Sequence, residues 1–420
     1  PMFAVYEVLL GLAFLVALPW FLIIGFMRGK YLPNFPVRLG RYRSAPAHHD
    51  LWIHAVSVGE VLAAKLVADR ILERRPETRL VVTTTTITGQ TLARRSFPNA
   101  TVTYFPFDFS FAVKRFLAHH QPRVYSTIET EIWPNVTRHA YAEGMKLILA
   151  NGRISDRSLP RYRMVRPILR RILGRYEAIL VRDETDRERF VEIGANPERV
   201  ETVGNVKFDF DFEPRPPEID AQLRALIRGR KVFVAGSTKQ GEDELIAPLL
   251  KDLIADLDCF VIIAPRRPER FEVVAGILAA AGTDFIRRSE LTSGDRTSRA
   301  DVLLLDSIGE LATIYQYASA SFVGGSLVST GGHNPIEPAA AGSAVSFGPH
   351  MSNFREIAAT FLREDAAVQV RSAEELRDFV HSMLTDEVRQ QQFSARGRAT
   401  VEKNRGAASR TAARILELLV

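Results

Sequence analysis

The sequence predicts an α/β protein built from two doubly wound domains, each a parallel sheet with helices on both faces. Three observations carry that prediction. Short apolar, β-rich runs alternate with helical patterns over most of the chain, which is the signature of successive βαβ units. The alternation breaks once, at GNVKFDFDFEPRPPEID (residues 204–220), where Asp, Phe and Pro crowd together as in a linker. And 420 residues exceed what one ordinary core accommodates.

The elements follow in order. Residues 1–30 read as an N-terminal membrane anchor helix, because Val8 to Met27 is a run of 20 residues without a charge, long enough to cross a hydrocarbon core of about 30 Å. Pro19 and Trp20 interrupt it, and a kink is tolerable in lipid. Only Glu7 precedes the run, while Arg28, Lys30, Arg38, Arg41 and Arg43 follow, so the positive-inside rule places the bulk of the chain on the cytoplasmic side. A hydrophobic helix lying in the membrane interface is the alternative. Residues 31–207 then carry LWIHAVS, LVVTTTT, TVTYFPF, VYSTIET, LILAN and AILVRD, the strands of the first domain. Residues 208–221 form the linker. Residues 222–420 carry VFVAGS, FVIIAP, DVLLLD, SASFVGGS and SAVSFGP, the strands of the second. Sheets of this kind bind ligands at the carboxyl ends of their strands, and two facing sheets make a cleft.

Composition narrows the class. Hydrophobic content of 46% and charged content of 25% are those of a folded globular protein. A net charge of +6 admits nucleic acid, an anionic membrane surface or phosphorylated substrates as partners. The single cysteine, Cys259, excludes an internal disulfide framework or a cysteine metal cluster.

The unusual residues fall just after the strands. In the second domain, GGHNPIEPAA places Asn334 before Pro335, with Glu337 three residues on. That is capping-box spacing with Pro at the first helical position. It also follows Gly324, Gly325, Gly331 and Gly332, as where a backbone approaches an anion at a helix N-terminus. AGSTKQGEDE repeats the pattern, with Ser237 and Thr238 at a helix start, Lys239 beside them, and Ser237-x-x-Gln240 as a further possible cap. Two such cradles on one rim point to a nucleotide. Neither a GxxxxGK[ST] nor a strand-borne GxGxxG is present.

HAVSVGE, ETEIWPN, GNVKFD, APRRPERF and GGHNPIEPAA, in that order behind an apolar N-terminus, resemble the Kdo (3-deoxy-D-manno-octulosonic acid) transferases of lipopolysaccharide biosynthesis. The resemblance covers essentially the whole chain. It implies the two-domain GT-B fold, with a first, acceptor-binding and a second, CMP-sugar-binding domain. It implies transfer of Kdo from CMP-Kdo to a lipid A precursor (lipid IVA), with inversion, at the inner face of the bacterial inner membrane, without a cofactor. It further implies Glu60 of HAVSVGE as the general base, and Glu129 and Lys207 as residues that assist the transition state. Pro265 and Arg266 would contact base and phosphate, and Ile308, Gly309 and Glu310 would meet the cytidine by backbone. Asn334, Pro335, Ile336 and Glu337 would form the ribose and phosphate loop.

Each role has a plainer alternative in the residues themselves. Ser57-x-x-Glu60 has capping-box spacing. A carboxylate at a helix start is also made less basic by the helix dipole, which burial would oppose. Lys207 reads equally as a solvated linker lysine, and Glu129 as half of a buried ion pair. Asp209-Phe210-Asp211 is a DxD, but it lies in the expected linker and alternates with Phe, and no metal site is assigned to it. His48-His49-Asp50 reads as a solvated loop before the first strand. Arg157, Arg161 and Arg163 open an arginine-rich stretch that reads either as a solvated helix face or as the surface that meets anionic membrane and acceptor phosphate. Nucleic acid is not expected, since no aromatic residues are interleaved for base stacking. The rival functions are another membrane-anchored GT-B transferase using a UDP-sugar, and a non-enzymatic nucleotide-binding membrane protein.

Overall fold

The computed structural model describes residues 2–28, 34–210, 217–291 and 300–420. The chain divides into two compact units, Pro1–Asp209 with Arg405–Val420, and Phe210–Asn404.

The first unit holds seven parallel strands: β1 (His49–His54), β2 (Leu80–Thr84), β3 (Thr101–Tyr104), β4 (Pro122–Ile128), β5 (Lys146–Gly152), β6 (Ala178–Val181) and β7 (Val200–Thr202). Their order is β3-β2-β1-β4-β5-β6-β7, so the winding reverses between β1 and β4. Strand period puts alternate residues on opposite faces. Leu51 and Ile53 pack under the helix Val58–Arg74 with Val82 and Val124, whereas Trp52, Val81 and Tyr125 fill the other face with Phe105 and Phe116.

The second unit repeats the plan with β8 (Val232–Thr238), β9 (Phe260–Pro265), β10 (Phe285–Arg287), β11 (Val302–Leu304), β12 (Ala320–Val323), β13 (Ala344–Phe347) and β14 (Ala367–Gln369). The order is β10-β11-β9-β8-β12-β13-β14, with the reversal between β8 and β12. Phe233, Ala235, Val261 and Ile263 supply one core, and Val232, Val234, Phe260 and Ile262 the other.

Three boundaries differ from the sequence reading. The C-terminal helix Ala407–Leu418 packs on the first unit, not the second: Ala408, Ala412 and Ile415 join the core of β1 and Val58–Arg74. Asp209 explains part of this. Its buried carboxylate accepts the N–H groups of Gly406 (2.5 Å) and Ala408 (2.6 Å), fixing the start of that helix. Half of the DxD is thereby committed to a helix N-terminus, and Asp211 lies outside the described residues. The expected linker is also shorter in coil than read, because Val206–Asp209 is a 3-10 turn and Pro217–Ile227 is helix. Finally, His49 begins β1 and is buried, its Nδ1 2.8 Å from the His120 carbonyl and its Nε2 3.0 Å from the Thr101 hydroxyl.

The N-terminal segment is a helix, Met2–Arg28, and the expected spanning run falls within it. One face docks on the first unit. The Tyr6 hydroxyl donates to Asp108 (2.8 Å), Glu7 accepts from the Ser110 N–H (2.9 Å) and the Asn135 amide (2.5 Å), and Phe14 packs against Phe35, Phe107 and Phe109. The opposite face exposes Val5, Val8, Leu9, Leu12, Leu15 and Val16. Among the described residues, no helix is long and apolar enough to cross a membrane.

Candidate functional site

The first unit gathers its unusual residues at the switch point of its sheet. Glu60 sits in the first turn of the helix that follows β1, and Glu129 directly follows β4. Ligands of doubly wound sheets bind at this crevice. Lys207, on the 3-10 turn after β7, donates to Glu129 at 3.2 Å, and Arg153 pairs with the other Glu129 oxygen at 2.8 Å. Burial pushes the Glu129 carboxyl up, but Lys207 and Arg153 outweigh it and hold the group below the usual range. Glu129 also adopts a left-handed backbone, φ 62°, a strain that a non-glycine residue keeps where the surroundings fix it. The solvated-linker alternative for Lys207 does not hold, since the side chain is an ion-pair partner of a buried carboxylate.

Glu60 is buried and both of its oxygens are engaged: Oε2 accepts the Val56 N–H at 2.8 Å and Oε1 accepts the Ser57 hydroxyl at 2.9 Å. This is not the anticipated capping box. Ser57 is the N-cap residue, but its hydroxyl donates to Glu60 instead of accepting from the helix, and Glu60 reaches back to the peptide of Val56. Burial raises the proton affinity of Glu60, with Glu129 adding to it, and the Val56 N–H, Ser57 and Lys207 reduce the rise without cancelling it. Desolvation therefore outweighs the helix N-terminus here.

Sequence reasoning missed one member of this group. Glu131 accepts from the Trp133 indole N–H at 3.0 Å. Burial, followed by the charge of Glu60, pushes its carboxyl up to about 7. Glu131 was legible only as the second acid of ETEIWPN. Tyr162 completes the neighbourhood: burial, and then Glu131, raises its phenol. It lies in the helix Leu159–Met164, which also bears Arg161 and Arg163. Arg157, Arg161 and Arg163 are all exposed, and Arg163 pairs with Glu192 at 2.5 Å. They lie outside the carboxylate group, which Tyr162 adjoins.

In the second unit Thr238, Pro265 and Arg266 meet at the ends of β8 and β9. The Arg266 N–H donates to the Thr238 carbonyl at 3.0 Å, and Thr238 lies in register with Pro265. Two expectations fail. Ser237 and Thr238 close β8 instead of starting a helix, with Ser237 left-handed at φ 56°, and the helix begins only at Glu242. The glycine loop is also not a set of open amides. Glu242, fully buried, accepts the N–H groups of Gly325 (2.6 Å), Ser326 (2.9 Å) and Leu327 (2.9 Å). The close approach at Gly324 is internal as well: a Cβ there would stand 2.6 Å from the Ser237 carbonyl oxygen.

The loop Asn334–Glu337 departs from a capping box too. Asn334 Oδ1 accepts the Ile336 N–H at 3.1 Å, and its amide donates to Glu337 at 3.1 Å. Ile336 is fully buried and its N–H is taken by Asn334. Glu310 is occupied by Arg288 at 3.0 Å and by the Ser307 hydroxyl, whereas Ile308 is 64% exposed and Gly309 is left-handed, presenting backbone after β11.

What the second rim offers an anion is side-chain charge. Burial, then Arg267 and Arg266, depresses the Lys239 ammonium, and burial, then Arg266 and Lys239, holds His333 down to about 4. Glu337 is raised by burial and steadied by Asn334 and Arg266. A cluster of cations that repel one another is relieved by a bound anion. Lys239 is the member that the sequence reading left unassigned.

Residues 33–210 match the family model for 3-deoxy-D-manno-octulosonic-acid transferase (kdotransferase). The 3-deoxy-D-manno-octulosonic acid transferase of Bordetella pertussis is 36% identical over 394 residues, 90% of this chain and 90% of its own. That of Haemophilus influenzae is 33% identical over 396 residues, 93% of this chain and 91% of its own. In fold, the UDP-GlcNAc 2-epimerase of Neisseria meningitidis aligns over 89% of this chain and 99% of its own, with a TM-score of 0.59 at 9% identity. Motifs, two Rossmann-like units and relatives that match along most of both chains agree: the chain belongs to the 3-deoxy-D-manno-octulosonic acid (Kdo) transferase family and is a glycosyltransferase.

Proposed function

We propose that the protein transfers Kdo from CMP-Kdo to a lipid A precursor, lipid IVA, with inversion at the anomeric carbon and with Glu60 as general base. One observation carries this reading: a buried carboxyl with raised proton affinity stands at the switch point of the first sheet, beside an ion pair between Glu129 and Lys207. A base must hold a proton tightly enough to accept it from an alcohol in the transition state, and burial tunes glutamate in that direction.

The acceptor hydroxyl gives its proton to Glu60 as its oxygen attacks the anomeric carbon. The bond from that carbon to the CMP phosphate oxygen breaks, and CMP leaves with the electron pair. Lys239 and Arg266, in the second unit, are the cations that meet the charge growing on the phosphate. Glu129 holds Lys207 in place, and Lys207 supplies positive charge to an anionic donor. The proposal draws on these side-chain cations and assigns no metal.

Membrane attachment belongs to the same reading. The outer face of the helix Met2–Arg28 is a stripe of exposed apolar residues, which marks an interaction surface. The docked inner face supports a helix lying in the interface of the inner membrane, on its cytoplasmic side. Arg161 and Arg163 stand beside Met164, which is 83% exposed, and Val165 and Ile168, also exposed. Basic residues near an anionic leaflet contribute about 1 kcal/mol each at most.

Mass spectrometry of lipid IVA incubated with CMP-Kdo tests the substrates, and NMR of the product tests its anomeric configuration. A Kdo mass increment with inverted configuration is expected. Retention, or an increment only with a UDP-sugar donor, would refute the proposal.

A further inference from the structure

Residues 105–109 run between two parts of the first unit: the helix Met2–Arg28, and the loop 129–133 that carries Glu129 and Glu131. Phe107 and Phe109 pack on Phe14 of the helix, with ring centroids 5.5 and 5.2 Å away. Phe105 packs on Trp133 of the loop at 5.4 Å. Asp108 joins both sides. Its carboxylate accepts the Tyr6 hydroxyl of the helix at 2.8 Å, and the N–H groups of Asn135 at 3.1 Å and Val136 at 2.8 Å. The side-chain amide of Asn135 repeats the link, donating to the Asp108 carbonyl at 2.6 Å and to Glu7 at 2.5 Å.

Asn135 and Val136 open the helix Pro134–Ala142, whose first N–H groups need acceptors. A Ser, Thr, Asp or Asn at the N-cap ordinarily supplies one. Here the N-cap residue is Trp133, and its indole N–H donates to Glu131 at 3.0 Å. Asp108, 27 residues before Asn135, supplies the cap from another loop. That arrangement is costly for a cap alone, because Asp108 and Asn135 are both buried. Burial pushes the Asp108 carboxyl up to about 6, against the Asn135 N–H, the Tyr6 hydroxyl and the Val136 N–H. A capping side chain at position 133 would spare that burial, but Glu131 would lose its indole donor. The loop 129–133 is thus held at both ends. At its start the Glu129 N–H donates to the Ala150 carbonyl at 2.8 Å, and at its end Asp108 holds the helix into which it runs.

We propose that Asp108 is a positioning residue of the transfer reaction: bound to the docked helix Met2–Arg28 and to the start of the helix Pro134–Ala142, it fixes the loop that carries Glu129 and Glu131. The inference rests on the reading of these acids as members of the transfer site. Docking of the N-terminal helix then sets turnover without any contact to a substrate.

The test uses the whole chain labelled with 5-fluorotryptophan, whose fluorine NMR spectrum holds signals from Trp20, Trp52 and Trp133. Trp133→Phe assigns the signal of the loop, and the native signal of Trp52, fully buried in β1, marks a folded first unit. Tyr6→Phe removes one hydroxyl on the helix side and leaves Asp108 with its two backbone bonds. It should move the Trp133 signal and lower kcat for Kdo transfer by about three- to tenfold, with KM for CMP-Kdo unchanged. Asp108→Asn should move the signal further and lower kcat by about 10- to 100-fold. The double variant should turn over like Asp108→Asn alone, because both changes act through one link. A side chain that only stabilises the fold would lower the urea midpoint in both variants and leave the Trp133 signal and kcat at their wild-type values. That result would overturn the proposal, and so would a moved signal with unchanged kcat. If the wild type transfers no Kdo, the transfer reading fails, and the Trp133 signal alone decides whether Asp108 sets the loop.

Discussion

At the switch point of the first sheet, Glu60, Glu129 and Glu131 share a neighbourhood with Lys207; at that of the second, Lys239, Arg266, Arg267 and His333 share one with Glu337. The strand plan is the same in both units, seven parallel strands wound outward from a central pair. What differs is the sign of the charge placed after those strands. Glu60 and Glu131, crowded under burial, hold protons tightly, whereas Lys207 and Arg153 keep Glu129 ionised. Lys239, Arg266 and Arg267, set close together, attract an anion. One scaffold thus carries an acid-rich rim and a cation-rich rim through the residues that follow its strands.

The largest test of that contrast is Glu60→Gln. The amide can keep both hydrogen bonds, accepting from the Val56 N–H and donating to the Ser57 hydroxyl, and it removes only the base. The kcat should fall by about 10²- to 10⁴-fold, with CMP affinity unchanged by calorimetry. A mutant that turns over normally would reduce Glu60 to a structural tie.

The next effect concerns construction. The first unit takes its last helix from the C-terminus, held at Asp209. Asp209→Ala leaves two buried N–H groups unpaired and should lower stability by about 2–4 kcal/mol in a urea titration. The loss is expected in the transition of the first unit, so a loss confined to the second would break the assignment of that helix.

Arg266→Ala probes the cation cluster. It should weaken CMP binding by about 10- to 100-fold, more at low salt than at high. It should leave the pH dependence of catalysis in place, since the acids lie in the other unit. The smallest effect is Arg163→Ala, an exposed arginine paired with Glu192. Binding to anionic vesicles should weaken by less than about fivefold.

The sheets were legible because apolar runs such as LWIH and FVII alternate with helical stretches, a pattern that core packing alone produces. The grouping of Glu60, Glu129 and Lys207 came from motifs, and the fold brings those residues to one rim. What remained hidden depends on contacts between distant segments. The placement of the helix Ala407–Leu418 is one such case, because periodicity does not say against which sheet a helix packs. The run GSTKQGEDE carries several capping residues, so the start of its helix was misplaced, and the acid that closes the glycine loop, Glu242, looked like one more polar residue. Glu131 and Lys239 stand next to assigned residues, and only burial and neighbouring charge distinguish them.

The most direct test of the central claim is the pH dependence of kcat/KM for Kdo transfer, wild type beside Lys207→Met. A general base works only when ionised, so activity must fall as pH drops through its pKa. Burial and Glu129 raise that pKa and Lys207 lowers it. The account predicts an acid limb above the ordinary glutamate range, moved to still higher pH in Lys207→Met. A limb at the ordinary glutamate value, or one that the loss of Lys207 leaves unmoved, would contradict the assignment of Glu60 as a base tuned by its neighbours.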